Sequence, residues 1–459
     1  MQAKDSLTAI VADYICNLKY PDIPQRVLEP IRDSLIDAIG CGIIGTASKD
    51  VRILANYFAE MQSAPQAVIW GTALKAAAPL AAAANAAATH AWDFDDTVLP
   101  GIIHPAGITV STALALIEKI GSPVSGKDFL TALVAGYEVG NLLSAALGGR
   151  DWRVFGFYNT VPVIFASVAT AGRVLKLDRG QMIAALGIAA TQAAGLYSAT
   201  MTKRLNAPKA VEGGIYAAEL ALKGYEAPLD GIGDEQGFLK VFSRDPQWDV
   251  IPRDIGKFAF EVYHKQYPCI RSNHPAIYAS RLLQDKFPEV TAESIAAITV
   301  RADTLTRMYT VETPGGGTTV ETVGNALVSL PYCLATMLVE GRLTLAEFTE
   351  QKIRNPVVQA LLKKVRIEVD PEIDKLPATQ RYRATVEVTL RNGRTLSHFC
   401  PAPKGDPANR LTRDEMHSKF MQNATSVFEH KRMEELFDLL GRIDELDNVG
   451  VVPAYLSKR

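Results

Sequence analysis

KAAAPLAAAANAAATHAW, residues 75–92, decides how this chain is read. Alanine is the strongest helix former. A run this rich in it, interrupted by Pro79 and Asn85, predicts a helix with small side chains around most of its circumference. Such a helix is buried among others and packs closely against them. Alanine is also too weakly hydrophobic for the run to span a bilayer. The same texture continues outward on both sides. Apolar spacing and alanine content predict further helices over 6–18, 24–45, 50–62, 106–121, 126–147, 160–175, 179–197 and 207–223, with Gly, Pro or Asp at the breaks. This is an all-α core rather than a sheet protein.

The pattern changes after residue 255. IAAITVR (295–301), VRIEV (365–369) and ATVEVTL (384–390) alternate apolar and polar residues, the period of a half-buried strand. Asn392-Gly393 follows the last of them and predicts a type I′ hairpin. Helices are predicted at 275–286 and 322–339, and the tail from 412 to 440 returns to helix. The fold class is therefore mainly α: a large helical domain over 1–255, completed by 401–459, and a smaller α+β lid domain over 256–400.

Composition narrows the function. A formal net charge of −2 gives no basic excess for nucleic acid or an anionic membrane, so positive charge for an anionic substrate must be local to a pocket. Cys16, Cys41, Cys269, Cys333 and Cys400 are scattered, with no CxxC pair for structural zinc or redox chemistry. The apolar flanks of Cys16, Cys41 and Cys333 mark small core residues, and free cysteine implies a reducing compartment. The N-terminus lacks the pattern of a secretory signal, and a cytoplasmic location is expected. GxGxxG after a strand, Walker A, HExxH and GxSxG are all missing. What is left is chemistry done by side chains.

Three clusters can do it. In HAWDFDDT (90–97) the alanine helix ends in Asp93, Asp95, Asp96 and Thr97, and a loop then delivers His104. Carboxylates at a helix C-terminus oppose the macrodipole, so structure alone gives little reason for them. Two plainer readings stand beside the catalytic one: solvated or capping acids, and a Mg²⁺ or Ca²⁺ site without EF-hand spacing. In the second cluster, Thr202-Lys203-Arg204-Leu205-Asn206 puts two cations at a helix start, unfavourable unless an anion binds there. The alternative is a solvated basic turn. The third cluster gathers His264, Lys265, Arg271 and His274 in one short loop where the helical texture gives way. A lone histidine such as His274 is more often a capping or packing residue than a catalyst.

HAWDFDDT…HPAG, the turn Leu229-Asp230-Gly231 before Gly237-Phe238-Leu239, KQYPC with His274, and Leu330-Pro331-Tyr332 together resemble the MmgE/PrpD family of dehydratases, decarboxylases and epimerases of small carboxylic acids. The likeness runs over nearly the whole chain. It implies a homodimer with a large helical domain and a small α+β lid, working without metal or organic cofactor. By position, Asp93 and Thr97 would line the pocket and orient substrate, His104 would be the main acid/base, and Lys203 and Lys265 would bind carboxylates. His274 and Tyr332 would complete the site, with Asp96, Arg204, Asn206 and Arg271 as further contacts. Where the family carries a histidine, this chain has Tyr158, and Asn206 stands where another often falls near Lys203. The implied activity is a lyase, dehydratase or decarboxylase, on a small di- or tricarboxylic acid. An epimerase using Tyr158 opposite His104, or a silent binding protein, are the alternatives.

Overall fold

The computed structural model describes residues 6–148, 156–158, 160–196, 203–312 and 316–458, with Lys203 described through its backbone. These residues divide into two compact units. One takes the described chain up to Ala91, then Asp95–Val262, then everything from Thr412. The other takes Trp92–Phe94 and Tyr263–Leu411.

The first unit is helical. Its main helices are α1 (Leu7–Asn17), α2 (Gln25–Gly45), α3 (Lys49–Glu60), α4 (Ala78–Thr89), α5 (Pro105–Ile120), α6 (Gly126–Ala146), α7 (Thr160–Val174), α8 (Arg179–Gln192) and α9 (Lys203–Leu222). Side chains start several of them. Ser6 accepts from the Ala9 amide and Ser125 from the Asp128 amide, while Asp178 and Gln181 form a reciprocal capping box. The alanine run becomes α4, with Ala78, Ala81–Ala84 and Ala86–Ala88 almost wholly buried. Its small side chains let α2 approach closely. A Cβ added at Gly45 would lie 1.8 Å from the Ala88 carbonyl oxygen, so only glycine fits. Helix α6 is long and apolar enough to cross a membrane by length and composition, yet 94% of its apolar window is buried inside the protein. It is a core helix.

Two predicted boundaries move for identifiable reasons. Residues 75–76 pair as a short strand with 67–68, so α4 starts at Ala78, with Pro79 in the first turn where its missing N–H costs nothing. Helix α9 starts at Lys203 rather than 207, which places Lys203, Arg204 and Asn206 in its opening turns.

The second unit carries a four-stranded sheet of β1 (Ile295–Ala302), β2 (Val365–Val369), β3 (Ala384–Leu390) and β4 (Thr395–Cys400), in the order β2-β1-β3-β4. Strand β1 pairs parallel with β2 and antiparallel with β3, Val300 standing opposite Ile367 on one side and Val386 on the other. Ile298, Val300, Val386 and Val388 turn inward onto Ile277 of α10 (His274–Lys286) and Leu334 of α11 (Leu330–Glu340). The helix predicted over 322–339 is two, Val323–Val328 and α11. Ser329 is the break, its hydroxyl accepting from the Tyr332 amide, because Pro331 cannot donate into a continuous helix. The hairpin also differs from expectation. Gly393 has φ 85°, but Asn392 does not share a positive φ, as a type I′ turn requires. The Leu390 amide bonds the Arg394 carbonyl, giving a three-residue loop with glycine at its left-handed position.

The tail rejoins the first unit as α12 (Arg413–Ala424) and α13 (His430–Gly441). Phe420 lies against Gly40 of α2, and the Lys419 ammonium sits 2.5 Å from Asp37. Both charges of that pair are buried, so each depends on the other.

Candidate active site

In the first unit, His90 and the residues from Asp95 to His104 gather the candidate side chains. His90 is the residue that ends α4, with φ −91° and ψ 0°, and is 6% exposed. A buried imidazole needs partners. Its Nδ1 faces both carboxylate oxygens of Asp95, at 2.9 and 3.0 Å, and Asp95 is itself buried. The chain then returns to His104, which precedes Pro105 at the start of α5. His104 Nδ1 lies 2.6 Å from the Asp96 carbonyl oxygen and 3.5 Å from the Thr97 hydroxyl. A carbonyl only accepts, so Nδ1 carries the proton and Nε2 is left as the basic nitrogen. The two imidazole rings stand 4.9 Å apart, and both line a cavity of about 20 Å³ together with Asp95, Gly107 and Thr160.

Asp96 sits beneath this pair, fully buried. Its carboxyl group accepts from the Tyr137 hydroxyl at 2.6 Å, from Ser34 at 3.4 Å and from the Ala106 amide at 3.3 Å. Burial pushes its pKa up to about 8, against the opposing pull of the Tyr137 hydrogen bond. Burial likewise raises the Tyr137 phenol well above its ordinary value. Asp96 therefore orients His104 through its carbonyl, while its side chain closes a hydrogen-bonded floor.

The second unit assembles another set. Asp93 adopts φ 50°, a left-handed conformation that aspartate tolerates better than most residues. The Lys265 ammonium, wholly buried, bonds the Asp93 carboxylate and, at 2.8 Å, its carbonyl oxygen. A buried ammonium requires such pairing. His274 packs its ring 5.3 Å from Tyr267. The Arg271 guanidinium lies over the rings of Tyr263 and Tyr382, at 4.7 and 5.2 Å, with Asp406 3.1 Å away. Burial lowers its pKa. The Tyr332 hydroxyl donates to the Glu347 carbonyl at 2.5 Å, and burial raises that phenol.

Among the remaining sequence candidates, Arg204 donates to the Ala91 carbonyl at 2.8 Å and meets Asp50 at 2.5 Å. The Asn206 side-chain nitrogen is buried without a hydrogen-bond partner among the described residues. The Lys203 side chain lies outside the described residues. Tyr158 is half-buried just before α7, its amide bonded to the Gly195 carbonyl.

Thr97, Asp96 and His104 are thus brought together in the first unit, and Asp93 is joined to Lys265 in the second. His90 is a site residue that stands outside the sequence candidates. Its signal was a histidine ending an alanine-rich helix five residues before a carboxylate, where burial demands a polar partner. His90, Asp95 and His104 bring donor atoms within 4.8 Å of one another, a grouping that metal ions use. Here both carboxylate oxygens of Asp95 face the same ring nitrogen, the arrangement of a carboxylate orienting an imidazole.

Residues 9–251 match the MmgE/PrpD N-terminal domain and residues 267–440 its C-terminal domain. Cis-aconitate decarboxylase of Homo sapiens is 28% identical over 468 residues, covering 98% of this chain and 95% of that protein. Cis-aconitate decarboxylase of Aspergillus terreus (strain NIH 2624 / FGSC A1156) is 28% identical over 479 residues, covering 97% and 95%. The mitochondrial 2-methylcitrate dehydratase of Yarrowia lipolytica is 23% identical over 423 residues, covering 86% and 79%. Both domain matches lie in order along one chain, and on that ground this protein belongs to the MmgE/PrpD family.

Proposed function

We propose that this chain is a lyase that decarboxylates a small unsaturated tricarboxylic acid, cis-aconitate being the first candidate, by side-chain acid–base chemistry and as a homodimer. One observation carries the reading: His104 donates its Nδ1 proton to the Asp96 carbonyl, which leaves Nε2 as the nitrogen for proton transfer, and the ring lines a cavity of about 20 Å³. The near full-length likeness to the cis-aconitate decarboxylases supports the choice of substrate.

When CO₂ leaves, the C–C electron pair passes to carbon, which must gain a proton from a neighbouring acid; His104, protonated at Nε2 before CO₂ departs, is the candidate for that role. Charge building on the remaining carboxylates needs cations. Lys265, oriented by Asp93, and Lys203 with Arg204 at the start of α9 are the candidates. Dehydration is the second reading, favoured by the second imidazole: it needs a base for the C–H proton and an acid for the departing hydroxide, and two histidines share one cavity.

Incubating the purified protein with cis-aconitate, citrate and 2-methylcitrate in D₂O tests both. Release of CO₂ with one deuterium in the product is expected. Loss of water from a hydroxy acid instead supports dehydration, and deuterium exchange without net change supports an isomerase. If no acid reacts or exchanges, the lyase reading falls.

A further inference from the structure

We propose that His90, held by Asp95, is a positioning residue that passes protons to His104 through one bridging water. The inference rests on the lyase reading and adds a second proton carrier to it. His90 ends a helix whose other buried residues are almost all alanine, so packing gives no reason for an imidazole there. Asp95 takes the Nδ1 proton of His90 on its two oxygens. Proton exchange is thereby directed to Nε2 of His90, as it is to Nε2 of His104 by the Asp96 carbonyl. The two rings and Asp95 line one cavity of about 20 Å³. That volume accommodates a water molecule, and the lining offers the polar partners that a buried water needs. One ligand atom each from His90, Asp95 and His104 lies within 4.8 Å of the others, and the two rings stand 4.9 Å apart, close enough for a single water to reach both residues.

The protons balance. In each decarboxylation His104 gives one proton to the carbon that loses CO₂. His90 Nε2 releases a proton to the bridging water, which hands one to His104 Nε2. Solvent restores His90 after product leaves, and Asp95 keeps the Nδ1 proton throughout. His104 is more exposed than His90, so bound substrate covers the ring that solvent otherwise reaches, and the buried ring serves as the reserve.

The variants His90→Gln and Asp95→Asn test this. Glutamine keeps an amide near Asp95 but shuttles no proton, and asparagine removes the carboxylate charge that fixes the Nδ1 proton. Each is expected to lower kcat by about 10–10²-fold, the lower range of general acid–base effects, with KM within about twofold and a larger solvent deuterium isotope effect on kcat. The double variant is expected to lose no more than either single, because the two act as one unit. A kcat within twofold of wild type in His90→Gln, or losses that multiply in the double variant, would overturn the relay. Ring-¹⁵N histidine NMR gives a readout that needs no turnover. In Asp95→Asn the His104 Nε2 resonance is expected to shift at fixed pH, and an unchanged resonance rules the coupling out. Wild-type inactivity on every acid sinks the lyase reading alone.

Discussion

The backbone carbonyl of Asp96 accepts the Nδ1 proton of His104 at 2.6 Å, while the carboxyl of the same residue accepts from the Tyr137 hydroxyl at 2.6 Å. One residue thus sets the tautomer of the proposed acid and closes the floor beneath it. Because the first task belongs to the main chain, it survives side-chain substitution at 96.

His104→Gln is expected to lower kcat by about 10²–10⁴-fold while leaving the melting temperature near wild type. Glutamine can bond the Asp96 carbonyl but cannot take up and return a proton. Retention of more than a tenth of wild-type kcat would make His104 an orienting group.

The pH dependence of stability follows from Asp96 and Glu138. Burial raises Asp96 to about 8 and Glu138 to about 7, even though Glu138 accepts from the Gly256 and Phe258 amides. Both pKa values are higher folded than unfolded. Between the ordinary carboxylate range and those values the unfolded chain has released protons that the folded chain still holds. The contribution to stability is therefore full below the ordinary values of 3.8 and 4.5 and is lost as pH rises through about 7 and 8. The melting temperature is expected to fall between pH 5 and 8.5, and to fall less steeply in Asp96→Asn. Calorimetry across that range checks it; an equal slope in the variant contradicts the assignment.

Lys203→Met is expected to raise KM steeply with little change in melting temperature. A lost charge-assisted contact to a carboxylate costs on the order of 1.5–3 kcal/mol. That corresponds to a rise of roughly 10- to 150-fold, since 1.4 kcal/mol is a factor of ten. A KM unchanged across the candidate acids would reduce Lys203 to a surface charge.

Gly45→Ala is expected to destabilise the helical unit without touching the site's chemistry, because its methyl would meet the Ala88 carbonyl at 1.8 Å. Overpacking of this kind costs about 1–3 kcal/mol. A melting temperature equal to wild type would show that α2 and α4 can separate without penalty.

Much of the architecture is legible along the chain because its signals are local. Alanine content marks α4, and two-residue alternation marks β1, β2 and β3. The departures come from single residues acting at close range: Pro331 divides a helix that apolar spacing alone runs together, and Asn392 declines the conformation that its dipeptide favours. For the site, HAWDFDDT already marked the carboxylates and pointed to His104. The place of His90 depends on burial, which the sequence states only indirectly, and the setting of Arg271 depends on Tyr382 and Asp406, each more than a hundred positions away.

The pairing of Asp37 with Lys419 links the order of synthesis to the order of folding. Helix α2 leaves the ribosome early, and α12 among the last segments. Throughout that interval Asp37 has no ammonium opposite it, and the face of α2 at Gly40 lacks Phe420. The floor under His104 shares α2 through Ser34, so the nascent helical unit stays incomplete near its own chemistry until the final forty or so residues arrive. A chain that stopped a short way upstream of Lys419 would lack both the ammonium opposite Asp37 and the ring against Gly40.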